Sequence, residues 1–454
     1  MNPYSVQQLA TAMNGSLLQG RGDFIVESGV STDTRSIKPG SLFVALKGEN
    51  FDAHNFLQQA VDGGVGALVV QKEGDLPENT PVILVDDTLS ALQRLAGWYR
   101  GELTIPVVAI SGSNGKTSTK DFTRSVLGQK LKVNATKGNL NNHIGLPLTV
   151  LDTDSDDEAG IFEMGMNHSG ELEPLCQIGR PDVSIITNVG TAHIENLGSR
   201  EAIAVEKGTL ARALSSEGTL LVPADCDFVE QYCRETKGKV VTIGGDDSAI
   251  RAENVVSGAD GSQFDLVIDE VGRVATSISV PGRHMVSNAL LAAGAGWLLG
   301  LSLEEISKGL SEAGLTSGRL RQFDYQGISV IDDTYNANPE SVIAALETLA
   351  SLPGNGRRIA ALGMMAELGT HAAEAYERVG RLAAERELCL VAVGDEASGM
   401  SNGAREAGGE AYQFSQVESA SEWLSENTNS GDLVLFKGSR MAAMERVMNQ
   451  SFPS

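Results

Sequence analysis

Residues 107–118 read VVAISGSNGKTS and constrain the fold more than any other stretch of the chain. An apolar run over 105–110, with one proline inside it, stops at Ser111-Gly112, and a helix-compatible segment, TKDFTRSVLGQKL, follows. A buried strand that ends in a glycine-rich turn and opens a helix can hold a phosphate group. The glycines let backbone N–H groups approach the oxygens, Lys116 can reach the outer phosphates, and the Thr117 hydroxyl can ligate Mg²⁺. Only Ser113 and Asn114 separate Gly112 from Gly115, where the usual phosphate loop has four residues between its glycines. Gly112, Ser113, Asn114, Gly115, Lys116, Thr117 and Ser118 are therefore the first candidate binding residues.

A chain of 454 residues implies two or three domains around this motif. From the start to residue 85 the pattern is a helix over 5–13, apolar strand-like runs at 41–46, 67–70 and 82–85, and a helical stretch over 53–62. That is a small α/β unit. Residues 86–103 connect it, with a helix over 89–99, to a larger unit ending near 316. Here strand-like runs at 159–164, 183–187, 220–222 and 240–243 alternate with helices, which points to a mainly parallel sheet. The alternation of Phe264, Leu266 and Ile268 marks an antiparallel patch within 246–280, and a helix-rich section spans 288–313. A third doubly wound unit begins near 319, with strands at 328–332, 358–362, 388–393 and 432–436. The expected boundaries are 1–85, 86–316 and 317–454.

Net charge is −24, from 35 basic and 59 acidic residues. This argues against broad nucleic-acid binding or anionic membrane surfaces, while a local basic pocket can still take an anionic ligand. Four cysteines (Cys176, Cys226, Cys233, Cys389) without paired metal-ligand spacing point to reduced thiols and a cytosolic protein. The N-terminal stretch has no basic segment followed by an apolar core, and no run approaches the roughly 18 apolar residues of a membrane span. The acidic run 152–158 lacks the turn glycine and distal glutamate of a calcium loop and reads as a solvated loop.

Polar clusters stand at the ends of the apolar runs, where open α/β sheets bind ligands. In the first unit they are Ser31, Asp33 and Arg35, then Asp52 and His54. In the second, the amide-rich TKGNLNNHIGLP (136–147) is followed by Glu163, a carboxylate at the end of a buried strand. Such an acid is costly unless paired or metal-bound, and a phosphate-loop protein needs one near Mg²⁺. His193 follows another strand, and beside Glu163 it reads as a metal ligand. Lys207, in a helical stretch, reads on its own as a surface lysine.

Taken together these motifs resemble the Mur ligases, the ATP-dependent amino-acid-adding enzymes of peptidoglycan synthesis. The shared markers are STDTR, LFVALKGENFDAHNF, SGSNGKTS, GNLNNHIGLP, AHIENLGS, PGRHMVSNALLAAG, GRLRQF, IDDTYNANPES, MAELG and FKGSRMAAME, and they span nearly the whole chain. The last three point to the branch that adds D-alanyl-D-alanine to UDP-N-acetylmuramoyl-tripeptide.

The resemblance implies a small N-terminal α/β domain for the UDP-sugar, a central ATPase with a mainly parallel sheet, and a C-terminal Rossmann-like domain for the incoming dipeptide. It implies Ser31, Asp33, Arg35, Asp52, His54, Asn139 and Asn142 at the UDP-substrate, and Lys116 on the β/γ phosphates. Thr117 and Glu163 would hold one Mg²⁺, and His193 with Lys207, the lysine as its carbamate, a second. Asn288 would meet adenine, Arg319 the phosphates and Asp333 the ribose. Tyr335, Asn336, Asn338, Lys437, Ser439 and Arg440 would close over ATP and D-alanyl-D-alanine. Lys116, His193, Lys207 and Arg319 are the implied catalytic set, in a cytoplasmic monomer. One departure is Met364 after Gly363, where relatives usually carry an acid. Two rival readings are a sister ligase, such as a folylpolyglutamate synthase, and a regulatory nucleotide-binding protein. The UDP-site and C-terminal motifs disfavour the first, and the joint presence of Glu163, His193 and Lys207 disfavours the second.

Overall fold

The computed structural model describes residues 1–258 and 260–453. Its strands form three main sheets, each carried by one segment of the chain, and a small antiparallel pair, Tyr4–Ser5 with Ile25–Val26. Ser16–Gln19, Val82–Leu84, Ala67–Val70, Leu42–Val44 and Val30–Ser31 make the first sheet in that order, antiparallel only at the first pairing. The first helix, Val6–Ala12, starts at Ser5, whose hydroxyl and the Gln8 side chain form a reciprocal capping box. The helical stretch expected over 53–62 divides into a 3₁₀ turn, Ala53–Phe56, and an α-helix, Leu57–Asp62. The Asp52 carboxylate accepts the His54 N–H and tightens that first turn.

The second sheet has nine strands and holds the phosphate-loop strand in its interior. Val107–Ser111 lies between Ala159–Glu163 and Val183–Ile186, both parallel to it, with Glu163 opposite Ile110 and Ile186 opposite Ser111. Pro106 has no N–H to donate, so the strand begins one residue beyond it. Thr219–Pro223 and Lys239–Ile243 extend the parallel part, and Ile250–Gly258, Gly261–Ile268 and Gly272–Ile278 form the antiparallel end. The third sheet runs Arg321–Tyr325, Ile328–Asp333, Leu433–Lys437, Arg358–Leu362, Cys389–Val393, Ala411–Phe414, parallel except for its first pair.

Two core features tie the units together. One apolar cluster runs from the central sheet (Val108, Ile110) through the helices Lys116–Leu127 and Arg283–Leu298 into the C-terminal unit (Val342, Leu346, Leu435). A second joins the N-terminal unit to the opposite face of the central sheet through the helix Thr88–Glu102, capped by Asp87. At the connection to the C-terminal unit, the Asp121 carboxylate accepts both the N–H and the hydroxyl of Thr316, each at 2.8 Å. Asp121 is itself buried and paired with Lys120 at 3.0 Å. The segment leading to Arg319 is thereby fixed to the phosphate-loop helix.

Candidate active site

The helix Lys116–Leu127 begins at Gly115, whose φ of 78° only glycine adopts freely, and no side chain caps it. Its first N–H groups are left for an anion, and the helix dipole favours one there. Gly115 also has Asn288 against it, since a Cβ would lie 2.5 Å from Asn288 Oδ1. The loop is braced from the neighbouring strand end. Asn114 donates its N–H to Asn188 Oδ1 at 2.9 Å and accepts from the Thr187 hydroxyl, while Gly190 N–H donates to Ser113 Oγ at 2.9 Å.

Four charged groups converge on this loop. Lys116 Nζ lies over it and donates to Gly112 O at 2.6 Å. Burial pushes its ammonium pKa down, Glu163 works against that shift, and Arg319 adds to it. Glu163 Oε1 lies 3.4 Å from Thr117 Oγ1 and accepts from Asn141 Nδ2 at 2.8 Å. Arg319 reaches Thr117 Oγ1 at 3.3 Å, and its guanidinium stacks 4.1 Å above the Tyr335 ring. Lys207, 1% exposed, is held well below the ordinary lysine range, first by burial and then by the neighbouring Lys116 charge. It is a buried site lysine, against its reading in isolation as a surface residue.

Glu163 Oε2 is buried without a hydrogen-bond partner. An orphaned carboxylate oxygen beside a hydroxyl is a donor set that fits Mg²⁺, which keeps several waters and phosphate oxygens of its own. No group of three or more His, Cys, Asp or Glu side chains is gathered to hold a metal among the described residues. His193, at φ 64°, has its Nδ1 2.5 Å from Glu367 Oε2 of the C-terminal unit, out of line for a hydrogen bond.

The C-terminal residues meet the same loop. Asn338 Nδ2 donates to Asn114 Oδ1 at 2.7 Å. Lys437 Nζ donates to Asp333 Oδ2 at 2.6 Å and Asn336 O at 3.0 Å. Ser439 is buried, while Arg440 is exposed and paired at 3.0 Å with Glu445 of the following helix, Met444–Ser451. A cleft of about 560 Å³ adjoins Arg319, lined by Thr316, Arg321, Gln322, Ser279 and Val280 among others.

In the N-terminal unit, Ser31 donates to Asp33 O, and the Asp33 carboxylate accepts from the backbone N–H and the guanidinium of Arg35, which hold its pKa at about 2. His54 is expected at the UDP-substrate. Its side chain is 3% exposed, with Nδ1 2.6 Å from Asp52 and Nε2 accepting Gln71 N–H at 3.1 Å, so both nitrogens serve the fold. Asn142 is likewise engaged locally, accepting from Ile144 and Gly145 N–H, and Asn139 is exposed. The amide that reaches the site is Asn141, between the two chosen from the sequence. Asn188, Glu340 and Glu367 were also missed. The motif MAELG contained Glu367, but its partner comes from another unit.

A phosphate loop opening a helix, with lysines, an arginine and a carboxylate around it and a further α/β unit closing on it, defines an ATP-type nucleotide-binding enzyme. Three family models cover most of the chain: Mur ligase family, catalytic domain, over residues 28–100; Mur ligase middle domain over 110–296; and Mur ligase, glutamate ligase domain, over 318–440. A UDP-N-acetylmuramoyl-tripeptide–D-alanyl-D-alanine ligase of Bacillus subtilis is 36% identical, covering 99% of this chain and 98% of that protein. One from Escherichia coli is 35% identical, covering 98% and 97%. The MurF crystal structure from Acinetobacter baumannii superposes with a TM-score of 0.92 at 32% identity, covering 99% of both chains. That of MurF from Thermotoga maritima in complex with ADP gives 0.83 at 25% identity, covering 93% and 97%. The chain belongs to the Mur ligase family.

Proposed function

We propose that the protein is the ATP-dependent ligase that joins D-alanyl-D-alanine to UDP-N-acetylmuramoyl-tripeptide in peptidoglycan precursor synthesis. The observation that carries this reading is the meeting of Lys116, Thr117, Glu163, Lys207 and Arg319 at one phosphate loop, with Asn338 of the C-terminal unit docked on it. The likeness of the whole chain to ligases of that name supports it. The segments 1–85, 86–316 and 317–454 would take the UDP-substrate, ATP and the dipeptide. No helix of the described residues is long and apolar enough to cross a membrane, and a cytoplasmic monomer is the setting we propose.

In this reading the tripeptide carboxylate attacks the γ-phosphate of ATP, giving ADP and an acyl phosphate. The dipeptide amine then attacks the activated carbonyl, which collapses to amide and inorganic phosphate. The first step brings two anions together. Lys116 and Arg319, partly buried around the loop, offset that repulsion as charge moves to the leaving phosphate. Tyr335 holds the Arg319 plane, and Asp121 holds the segment that carries it. Thr117 and Glu163 would hold one Mg²⁺, and His193 with Lys207 as its carbamate a second. Mg²⁺ there supplies charge neutralisation on the phosphate oxygens. Docking of the C-terminal unit keeps water from the acyl phosphate.

The test is phosphate release from ATP with UDP-N-acetylmuramoyl-tripeptide, with and without D-alanyl-D-alanine, and the mass of the product. Release that needs both substrates and yields the pentapeptide is expected. Lys116→Ala should abolish turnover while UDP-substrate binding persists. Turnover with a free amino acid or glutamate as acceptor, and none with the dipeptide, would assign the chain to a sister activity.

A further inference from the structure

Two loops of the central unit make the phosphate site: the phosphate loop itself and residues 187–193, which follow the strand Val183–Ile186. They grip one another through Asn188, Thr187 and Gly190, as described above. Both are also held from outside by one helix of the C-terminal unit, Pro339–Ser351. Its N-cap residue, Asn338, reaches Asn114 of the phosphate loop. One turn position on, Glu340 receives the Thr191 N–H on Oε1 and the Thr191 hydroxyl on Oε2, each at 3.0 Å. Thr191 stands two residues before His193.

The fit at this contact is close. A Cβ on Gly190 would lie 3.0 Å from Glu340 Cδ and 3.1 Å from Oε2, so an added methyl would press on the carboxylate and push it off its seat. Glu340 also sits in the first turn of its helix, where the dipole favours a carboxylate without any help from a cation. Its two bonds cross between units, and neither is needed to form the helix, which Asn338 and Ser341 already cap.

We propose that Glu340 is a positioning residue that latches the closed C-terminal unit onto the 187–193 loop, so that the loop reaches its reactive geometry only when the units are docked. This rests on the ligase reading for its kinetic test. The latch acts through Thr191 and not through charge on the substrate. A glutamine at 340 keeps both contacts, its carbonyl accepting the N–H and its amide donating to the Thr191 hydroxyl. An alanine keeps neither.

The test compares wild type, Glu340→Gln and Glu340→Ala in the full-length enzyme, with UDP-N-acetylmuramoyl-tripeptide, ATP and D-alanyl-D-alanine. Glu340→Ala should lower kcat by ten- to a hundredfold, with the ATP dissociation constant within threefold of wild type. Glu340→Gln should stay within threefold on both. Gly190→Ala should be impaired like Glu340→Ala and lose nothing more when the two are combined. Without substrates, small-angle scattering should show a larger radius of gyration for Glu340→Ala than for wild type. Equal impairment of the glutamine and alanine variants would overturn the latch, as would wild-type turnover in the alanine variant or a loss of ATP affinity that matches the loss of kcat. Inactivity of the wild type itself would count against the ligase reading alone. The scattering comparison then decides the latch, an unchanged radius overturning it.

Discussion

Lys437 and Asp333 end two adjacent parallel strands and face each other across them. Their side chains are 3% and 11% exposed, and the ammonium gives its hydrogen bonds to Asp333 Oδ2 and Asn336 O. Burial pushes the Lys437 ammonium down in pKa, against the pull of Asp333. Lys437→Met keeps the apolar stem but leaves a buried carboxylate without its cation. Breaking such a pair from one side costs about 3–5 kcal/mol. For a unit of this size, a urea slope of about 1.5 kcal/mol/M turns that into a midpoint lower by roughly 2–3 M. Trp423 packs on Tyr412 and Phe414 in the same unit and reports its unfolding once Trp98 and Trp297 are replaced by phenylalanine. Asp333→Asn together with Lys437→Met removes both charges and should recover most of the lost stability, because a neutral buried pair has no charge to desolvate. A double variant no more stable than Lys437→Met, or a single-variant shift below about 0.5 M, refutes the argument from the unpaired charge.

Two further outcomes follow from buried bases near the site. The His284 imidazole, ordinarily near 6.5, is pushed down to about 4, first by burial, with Asp333 opposing the shift and Lys437 adding to it. The folded state then binds fewer protons than the unfolded one, so this contribution is full above pH 6.5 and is lost as pH falls towards 4. Part of the residue meets solvent, which sets the loss at about 2 kcal/mol, and denaturant midpoints at pH 7.5 and 5 should differ less in His284→Asn than in wild type. Lys207→Ala should lose turnover that short carboxylic acids partly restore, and isotopically labelled bicarbonate should give a carbamate signal in wild type that the variant lacks. Full activity of Lys207→Ala without added acid would remove the carbamate from the account.

The phosphate loop and the strand ends around it were legible because their signals are local. An apolar run, a glycine at positive φ and a helix start occur within a dozen residues, and Gly115 conforms to all three. Edge strands were not legible. Val133–Ala135 is short, and Arg321–Tyr325 and Ala411–Phe414 have no fully buried residue, so their pairing is made by a neighbour and not by an apolar run of their own. Site residues divided along the same line. The meeting of Glu163 and Thr117 was legible because strand end and helix start place them together. The bonding of His54 was not legible, because a polar residue beside a strand end looks the same whether it is open to a ligand or held, as here, by Asp52 and Gln71. Asn141 was passed over for its neighbours because the direction of three adjacent amides in one loop is set by packing. Glu340 and Glu367 could not be found locally, since their partners Thr191 and His193 lie some 150 residues or more away in the chain.

The acidity of the chain and the basicity of its site are parts of one arrangement. A net charge of −24 repels an incoming nucleotide at long range, yet salt screens that field beyond about 8–10 Å. Inside the site the balance reverses: Lys116 lies near Glu163 and Arg319, Lys207 lies near Lys116, and both lysines are depressed by burial. Holding more cations than anions under protein raises the free energy of the empty loop. Phosphate oxygens supply the missing charge where it stabilises most, in a region that solvent no longer screens. That gain depends on the lid being shut, because an open loop returns the lysines to water and dissipates the field. The contacts of Asn338 with Asn114 and of Glu340 with Thr191 therefore belong to the electrostatics as much as to the architecture. They keep the low-dielectric pocket assembled around charges that act strongly only inside it.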